Sequence, residues 1–233
     1  MVKNLKQELN SERLLRVAKE ITPGSRVADI GTDHAYLPVY LIENQIASYV
    51  IGSEIAEGPL ENGRANVAKA GLSKQIELRF GSGVETLTTD DHIDTITICG
   101  MGGKTIVSIL AKGWEDGLLP VKELVLQPNT DEHLVRFWLT QHGYTITNES
   151  LLTERKGTYE IITAQYTEEV PTYSHLELRF GPFLLAEKSV EFQEKQQKEL
   201  ENYQRVYQKI PEGTAKANYI AQKIKELKEV LSC

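Results

Sequence analysis

The chain has 233 residues, 40% of them hydrophobic and 25% charged, which fits a globular chain of one or two domains and excludes a disordered or collagen-like one. Two cysteines, Cys99 and Cys233, exclude a disulfide framework and fit a reducing compartment. The net charge of −7 disfavours a strongly basic nucleic-acid binder, yet the net negative charge lies in residues 1–181, and a local basic stripe beyond them is compatible with it.

The N-terminal "MVKNLKQELNSERLLRVAKEI" is charged throughout and lacks a signal-peptide core. No apolar run approaches the roughly 18 residues needed to cross a bilayer. A cytoplasmic protein without membrane contact is expected. "RVADI" (26–30) reads as a strand, followed by a helix from about Leu37 with Pro38 in its first turn, where the missing N–H costs nothing. "SYVIGSEI" (48–55) is a second strand. In "EGPLENGRANVAKAG" the apolar Leu60, Ala65, Val67 and Ala68 recur at helical spacing, and Gly71 ends the helix. "QIELRF" (75–80), "DTITIC" (94–99) and "ELVLQ" (123–127) are further strands, with helices over 103–112 and 131–142, the latter closing at Gly143. This alternation predicts a doubly wound parallel α/β sheet. Residues 143–166 contain no helical pattern and read as an antiparallel hairpin added at the sheet edge.

"TEEVPTYSH" (167–175) reads as a linker. Beyond Pro182, Phe192, Gln196, Leu200, Tyr203, Tyr207 and Ile210 recur every three or four residues. Pro211-Glu212-Gly213 breaks the run, and Ile220, Ile224, Leu227 and Leu231 form a second series. The pattern predicts a C-terminal α-helical hairpin, coiled-coil-like but short. Two domains are therefore expected, residues 1–168 and 169–233.

Ligands of doubly wound sheets bind beyond the carboxyl ends of the strands, so the informative loops follow Ile30, Ile55, Phe80, Cys99 and Gln127. In "ADIGTDHAYLP" the dinucleotide fingerprint is missing: Gly31 is present, but Asp33 stands where the second glycine belongs. A carboxylate there would repel a pyrophosphate resting on helix N-terminal amides. A cofactor with a cationic centre and no phosphate suffers no such penalty, and S-adenosylmethionine is that cofactor. Glu54 ends the second strand at about the spacing from Asp29 expected of a carboxylate that accepts from ribose hydroxyls. "FGSGVETL" (80–87) supplies two glycines that could close over an adenine.

"ICGMGGKT" (98–105) resembles a phosphate-binding loop in Gly103-Lys104-Thr105, but Ile98 stands in place of its first glycine. Its glycines make either a tight turn into a helix or an opening where a flat base can approach a methyl donor, with the amides of Gly102 and Gly103 aimed at the site. His92, His133, His142 and His175 show no metal-ligand spacing, and no metal is expected. His142 reads as a helix C-terminal residue and Cys99 as a small core residue.

"VADIGTDHAYLP", "GSEIAEGPLENGRANV", "ITICGMGG" and "VLQPN" together resemble the bacterial tRNA adenine-N1 methyltransferases that modify adenine 22. "SERLLRVAKEI" and the helical tail match that family's layout, so the resemblance covers essentially the whole chain. It implies a Rossmann-like methyltransferase domain that binds S-adenosylmethionine, and a C-terminal coiled-coil hairpin that helps hold tRNA. Carried over, Asp29, Gly31, Thr32, Asp33 and His34 would form the first cofactor motif. Glu54, with Ile55 beside it, would hold the ribose, and Gly83 and Val84 would flank the adenine. Gly100, Met101 and Gly102 would lie between methyl donor and base. Arg13, Tyr36, Gly102, Gly103 and Asn129 are the substrate-side candidates.

Neutral adenine already carries an in-plane lone pair on N1, so catalysis needs alignment more than a base. A carboxylate near the cationic product could stabilise it or accept an N6 proton; Asp33 is the candidate, with Asp29 the alternative. Tyr36 could stack on a flipped base or simply pack on its helix. Arg13 could meet phosphate, line the site, or be a solvated arginine. Lys195, Lys198, Arg205 and Lys209 on one tail helix, with Lys216, Lys223, Lys225 and Lys228 on the other, could track RNA phosphates, although such hairpins also serve in packing or dimerisation. The oligomeric state stays open, with a monomer the simpler expectation. A small-molecule methyltransferase, an inactive RNA-binding protein and, more remotely, a dehydrogenase are the rival readings.

Overall fold

Val27, Ala28 and Ile30 in one short strand are all buried, as a strand covered on both faces requires. That strand is central to the computed structural model, which describes residues 9, 11–154, 157–211 and 213–232. The charged extreme N-terminus, Glu212 of the expected helix break and Cys233 lie outside the described residues. Five parallel strands form the heart of the sheet: β1 (Ser25–Ile30), β2 (Ala47–Glu54), β3 (Ile76–Phe80), β4 (Thr95–Met101) and β5 (Glu123–Pro128). The expected hairpin is present as β6 (Tyr144–Glu154) and β7 (Gly157–Tyr166), with β7 antiparallel to β5 and β6 at the edge. The order is β3-β2-β1-β4-β5-β7-β6, so the chain reverses its direction of travel across the sheet between β1 and β4. The crevice outside their carboxyl ends is where such a sheet takes a ligand.

Helices cover both faces. α1 (Glu12–Glu20), α2 (Tyr36–Glu43) and α3 (Glu57–Ala70) lie on one side, where Val17, Leu37, Leu41 and Val67 pack on Val27, Val50 and Val125. α4 (Gly103–Glu115) and α5 (Glu132–Gln141) lie on the other, where Ile106, Leu110, Val135 and Leu139 pack on Ala28, Ile51, Ile96, Ile98, Leu124 and Leu126. The neighbours Val27 and Ala28 serve opposite cores, the period of two that a strand imposes. Gly71 ends α3 at φ +73°, and His142 ends α5 with its ring stacked 4.0 Å from Trp138.

The tail departs from the expected linker. Ser174 caps α6 (His175–Phe180) through a capping box with Glu177, and Pro182 opens α7 (Pro182–Glu187). Two long helices follow, α8 (Val190–Tyr207) and α9 (Ala215–Ser232), packed on each other. Phe180, Leu184, Phe192, Leu200, Leu227 and Val230 form their own core. α6 packs on α5, while α7 and α8 pack on β6, so the tail rests on the sheet domain. Charges join the two. Arg136, with no exposed surface, donates to Glu149 at 2.6 Å and to Glu160, while Lys195 reaches Glu160 at 2.6 Å and Glu132 at 3.0 Å. Among the described residues no helix is long and apolar enough to cross a membrane.

Candidate functional site

A cleft of about 610 Å³ opens at the carboxyl ends of β1, β2 and β4, a size suited to a small-molecule ligand. The loop after β1 forms its floor and carries unusual backbone. Gly31, Asp33 and Ala35 all have positive φ, at +73°, +52° and +56°. Left-handed conformations at non-glycine residues are strained and cluster at functional sites. The loop is held there by Ser53, whose carbonyl accepts from Gly31 and Thr32 N–H, both at 2.9 Å. Met101 Cε lies over Gly31, and at φ +73° a side chain there would be strained whatever the space, which favours glycine at the position.

Three carboxylates line the cleft in different environments. Asp29, at the end of β1, is buried and accepts from the Thr97 hydroxyl at 2.8 Å. Burial pushes its pKa up, with the hydroxyl hydrogen bond working against it. Glu54, at the end of β2, is held from two sides: Oε2 accepts from Asp33 N–H at 3.2 Å and Oε1 from Ala56 N–H at 3.0 Å. Asp33 is exposed at the mouth, its Oδ1 3.5 Å from His34 Nε2. Ile55, 66% exposed, presents bare apolar surface beside Glu54 where an aromatic ring could lie.

Asp29, Gly31, Thr32, Asp33, Glu54, Ile55, Gly83, Gly100, Met101, Arg13 and Tyr36 all meet in this cleft. Other candidates stand beside it. His34 lies behind Asp33, its carbonyl accepting from Asn66 at 3.0 Å. Val84 turns away: its side chain is buried in the core over Gly113, which leaves only its backbone to flank a ligand. Gly103 also departs from expectation. Its N–H does not aim at the cleft but donates to the Thr130 carbonyl at 2.7 Å. A β-carbon there would meet the carbonyls of Thr130 and Asp131, so this glycine permits contact between α4 and the β5–α5 loop. Cys99 is half-buried in β4 and lines the cleft, and burial pushes its thiol well above the usual range. A thiol held protonated is a poor nucleophile.

The loop after β4 is built by its neighbours. Gly100, at φ +76°, donates its N–H to Gln127 Oε1 at 3.0 Å, and its carbonyl accepts from Asn129 Nδ2 at 2.7 Å. Asn129 N–H closes on the Met101 carbonyl at 2.7 Å. Asn129 thus shapes the Gly100–Met101 loop from behind. Gln127 was not among the sequence candidates, nor were Ser82, Thr105, Ser108 and Ile109, four further residues of the lining.

The comparisons with known proteins agree with one another. A family model described as tRNA (adenine(22)-N(1))-methyltransferase matches residues 27–229. The tRNA (adenine(22)-N(1))-methyltransferase of Bacillus subtilis is 38% identical over 221 residues, 93% of this chain and 92% of the relative. A Streptococcus pneumoniae protein solved in complex with S-adenosyl-L-methionine superposes with a TM-score of 0.87 at 37% identity, over 95% of this chain and 99% of that one. A Mycoplasma capricolum protein solved with S-adenosyl-homocysteine superposes with a TM-score of 0.89 at 30% identity, over 97% and 99%.

Proposed function

We infer from the cleft and the comparisons together that this chain, which belongs to the tRNA (adenine(22)-N(1))-methyltransferase family, transfers the methyl group of S-adenosylmethionine to N1 of adenine 22 in tRNA. The observation that carries the reading is the charge of the cleft: carboxylates at Asp29, Asp33 and Glu54 on a glycine-bearing strand-end loop. That donor set suits a cation and a ribose and repels a pyrophosphate.

Glu54, its carboxylate fixed by two amides, accepts from the ribose hydroxyls, with Ile55 and Gly83 against the adenine. Asp29 supplies negative charge at the floor of the cleft, where an ammonium or sulfonium is stabilised. The cofactor brings an electrophilic methyl group: the adenine N1 lone pair takes it as the S–CH3 bond breaks, and the positive charge passes from sulfur to the base. The chain's contribution is alignment and electrostatics. The flat base approaches along the Gly100–Met101–Gly102 loop, where the Met101 side chain covers Gly31 and the Arg13 guanidinium covers Gly100. Asp33, its side chain 67% exposed, is the carboxylate open to the methylated base and stabilises its charge. Tyr36, 42% exposed and tilted against His34 at 5.5 Å, offers a face for stacking.

Lys198, Arg205, Lys209, Lys216, Lys225 and Lys228 are exposed on the tail and are the proposed phosphate contacts. Lys195, committed to Glu160 and Glu132, and Lys223, half-buried and 3.5 Å from Glu226, leave that set. The test is methyl transfer from labelled S-adenosylmethionine to two transcripts of one tRNA, with A or G at position 22. Label on the A form alone is expected; label on both or on neither would overturn the assignment.

A further inference from the structure

A second hollow, of about 390 Å³, lies where α5 meets the tail, with walls from α5, α6, α8 and α9. It holds two bare aromatic rings. Phe137 on α5 is 53% exposed and Tyr219 on α9 is 57% exposed, so both are left uncovered by the sheet core and by the tail core. Tyr203 on α8 adds a third, half-buried ring. The volume is at the lower end of those that take small ligands. A recess of that size suits one inserted ring and not the broad patch of about 800 Å² per partner that two protein copies bury.

The polar groups among the rings include two acceptors, Asp131 and Glu199. Glu199 is held by Arg179 Nη2 at 3.2 Å and by the Tyr203 hydroxyl, and a carboxylate so held keeps lone pairs for further donors. The lining's arginine and lysine are already committed. Arg179 pairs with Glu226 and Glu199, and Lys223 Nζ stands 3.5 Å from Glu226 and 5.5 Å from the Tyr219 ring centre. A phosphate inside would therefore meet carboxylates and no uncommitted Lys or Arg among the described lining. A neutral ring with N–H groups on its edge meets aromatic faces and acceptors together. That is the chemistry of a nucleobase, and only an unpaired one has both its face and its N–H edge free.

Asp131 ties the hollow to the methyl-transfer cleft. Its carbonyl lies against Gly103, next to Gly102, and Asn129 in the same loop holds the Gly100 carbonyl at 2.7 Å. Along α9, Lys216, Tyr219 and Lys223 follow at steps of three and four residues on one face, with Lys216 exposed. An aromatic ring flanked by cations is the pairing that holds an unstacked strand. We propose that the hollow between α5 and the tail is a second nucleobase site, which takes an unpaired base of the same tRNA while adenine 22 occupies the cleft. The proposal rests on the tRNA methyltransferase reading and adds a second base to its substrate contacts.

The test is tRNA binding and methyl transfer by the full chain and by Tyr219→Ala, Phe137→Ala and Tyr219→Trp. Cofactor affinity, melting temperature and mass in solution are measured alongside. Loss of a stacking ring should weaken tRNA binding roughly 5- to 150-fold in each alanine variant, with KM for tRNA rising in step. The slope of log affinity against log salt should stay at the wild-type value, because no phosphate contact is removed. Tyr219→Trp should bind as the wild type does, since a flat ring remains. Cofactor affinity and melting temperature should hold in all three, and ultraviolet cross-linking of the wild type should attach a nucleotide at Tyr219 or Phe137. Unchanged tRNA affinity in both alanine variants, a lowered salt slope, or a changed mass in solution with tRNA binding intact would overturn the proposal. Failure of the wild type to methylate adenine 22 would instead remove the reading on which it stands.

Discussion

Gly103 and Thr130 are joined backbone to backbone: the glycine N–H donates to the threonine carbonyl at 2.7 Å, and no β-carbon fits between the chains. The N-terminus of α4 is thus fastened to the loop after β5, whose Gln127 and Asn129 hold Gly100. Gly103→Ala must push backbone against backbone, because a β-carbon would stand 2.7 Å from the Thr130 oxygen. Forcing atoms into a packed site costs roughly 1–3 kcal/mol, so the variant should melt several degrees lower and lose methyl transfer. At Gly102 the nearest atom is the Thr130 hydroxyl at 3.3 Å, which can rotate. Gly102→Ala should keep the melting temperature. Differential scanning calorimetry on the pair decides it; equal melting would show that the contact carries no strain.

Acid should weaken the molecule through Asp91. Its carboxylate receives both Arg79 ends, Nη1 to Oδ2 and Nη2 to Oδ1, each at 2.7 Å. The Arg79 hydrogen bonds hold its pKa down to about 2. A carboxyl depressed in the folded state stabilises fully above its unfolded pKa, and that stabilisation is lost as pH falls from about 4 towards 2. The side chain is 12% exposed, and the shift corresponds to about 2 kcal/mol. Asp91→Asn should lower stability at pH 7 by that order and flatten the acid limb between pH 4 and 2. Urea unfolding at stepped pH measures both; an unchanged limb would refute the assignment.

Arg136 is the electrostatic centre of the join between sheet and tail. Burial pushes Glu149 up despite the arginine, whereas at Glu160 the pull of Arg136 and Lys195 outweighs burial and holds the carboxyl down. Arg136→Met would leave two buried carboxylates without their guanidinium, a loss of roughly 3–5 kcal/mol. Equilibrium denaturation should record it. Truncation after about residue 180 is correspondingly severe, since it uncovers Phe180 and takes Lys195 from Glu160. A loss below about 1 kcal/mol for Arg136→Met would show the cluster to be hydrated.

What could be read from sequence follows how local each signal is. Gly31, Asp33 and Glu54 were legible because strand ends in a doubly wound sheet are fixed by alternation, and residue chemistry there has few uses. The hairpin was legible from its missing helical period. Gln127 was not: it meets Arg13, 114 residues away in sequence, and a glutamine at a strand end has no pattern that marks it. Val84 shared a glycine-rich stretch with Gly83 but turns into the core. Lys195 looks like its neighbours along α8, and only the fold reveals the carboxylates under it. Ser174 and Glu177 did carry a capping-box signal for α6, in a segment whose polar composition suggested a linker.

The exposed cations of the tail give the last expectation. Lys198 and Arg205 lie seven residues apart on α8, two turns along one face, with Lys209 just beyond its end. If they meet phosphates, each released contact lowers the slope of log affinity against log salt by about 0.7–0.9. The triple variant Lys198→Glu, Arg205→Glu, Lys209→Glu should therefore bind tRNA more weakly, with the salt slope reduced by about two or three. Cofactor affinity should stay at the wild-type value, because no carboxylate or amide of the cleft is touched. Filter binding from 50 to 200 mM salt reads the slope. Weakened binding with an unchanged slope would mean that the helices act through shape, and unchanged binding would leave this face free for contact between copies of the chain.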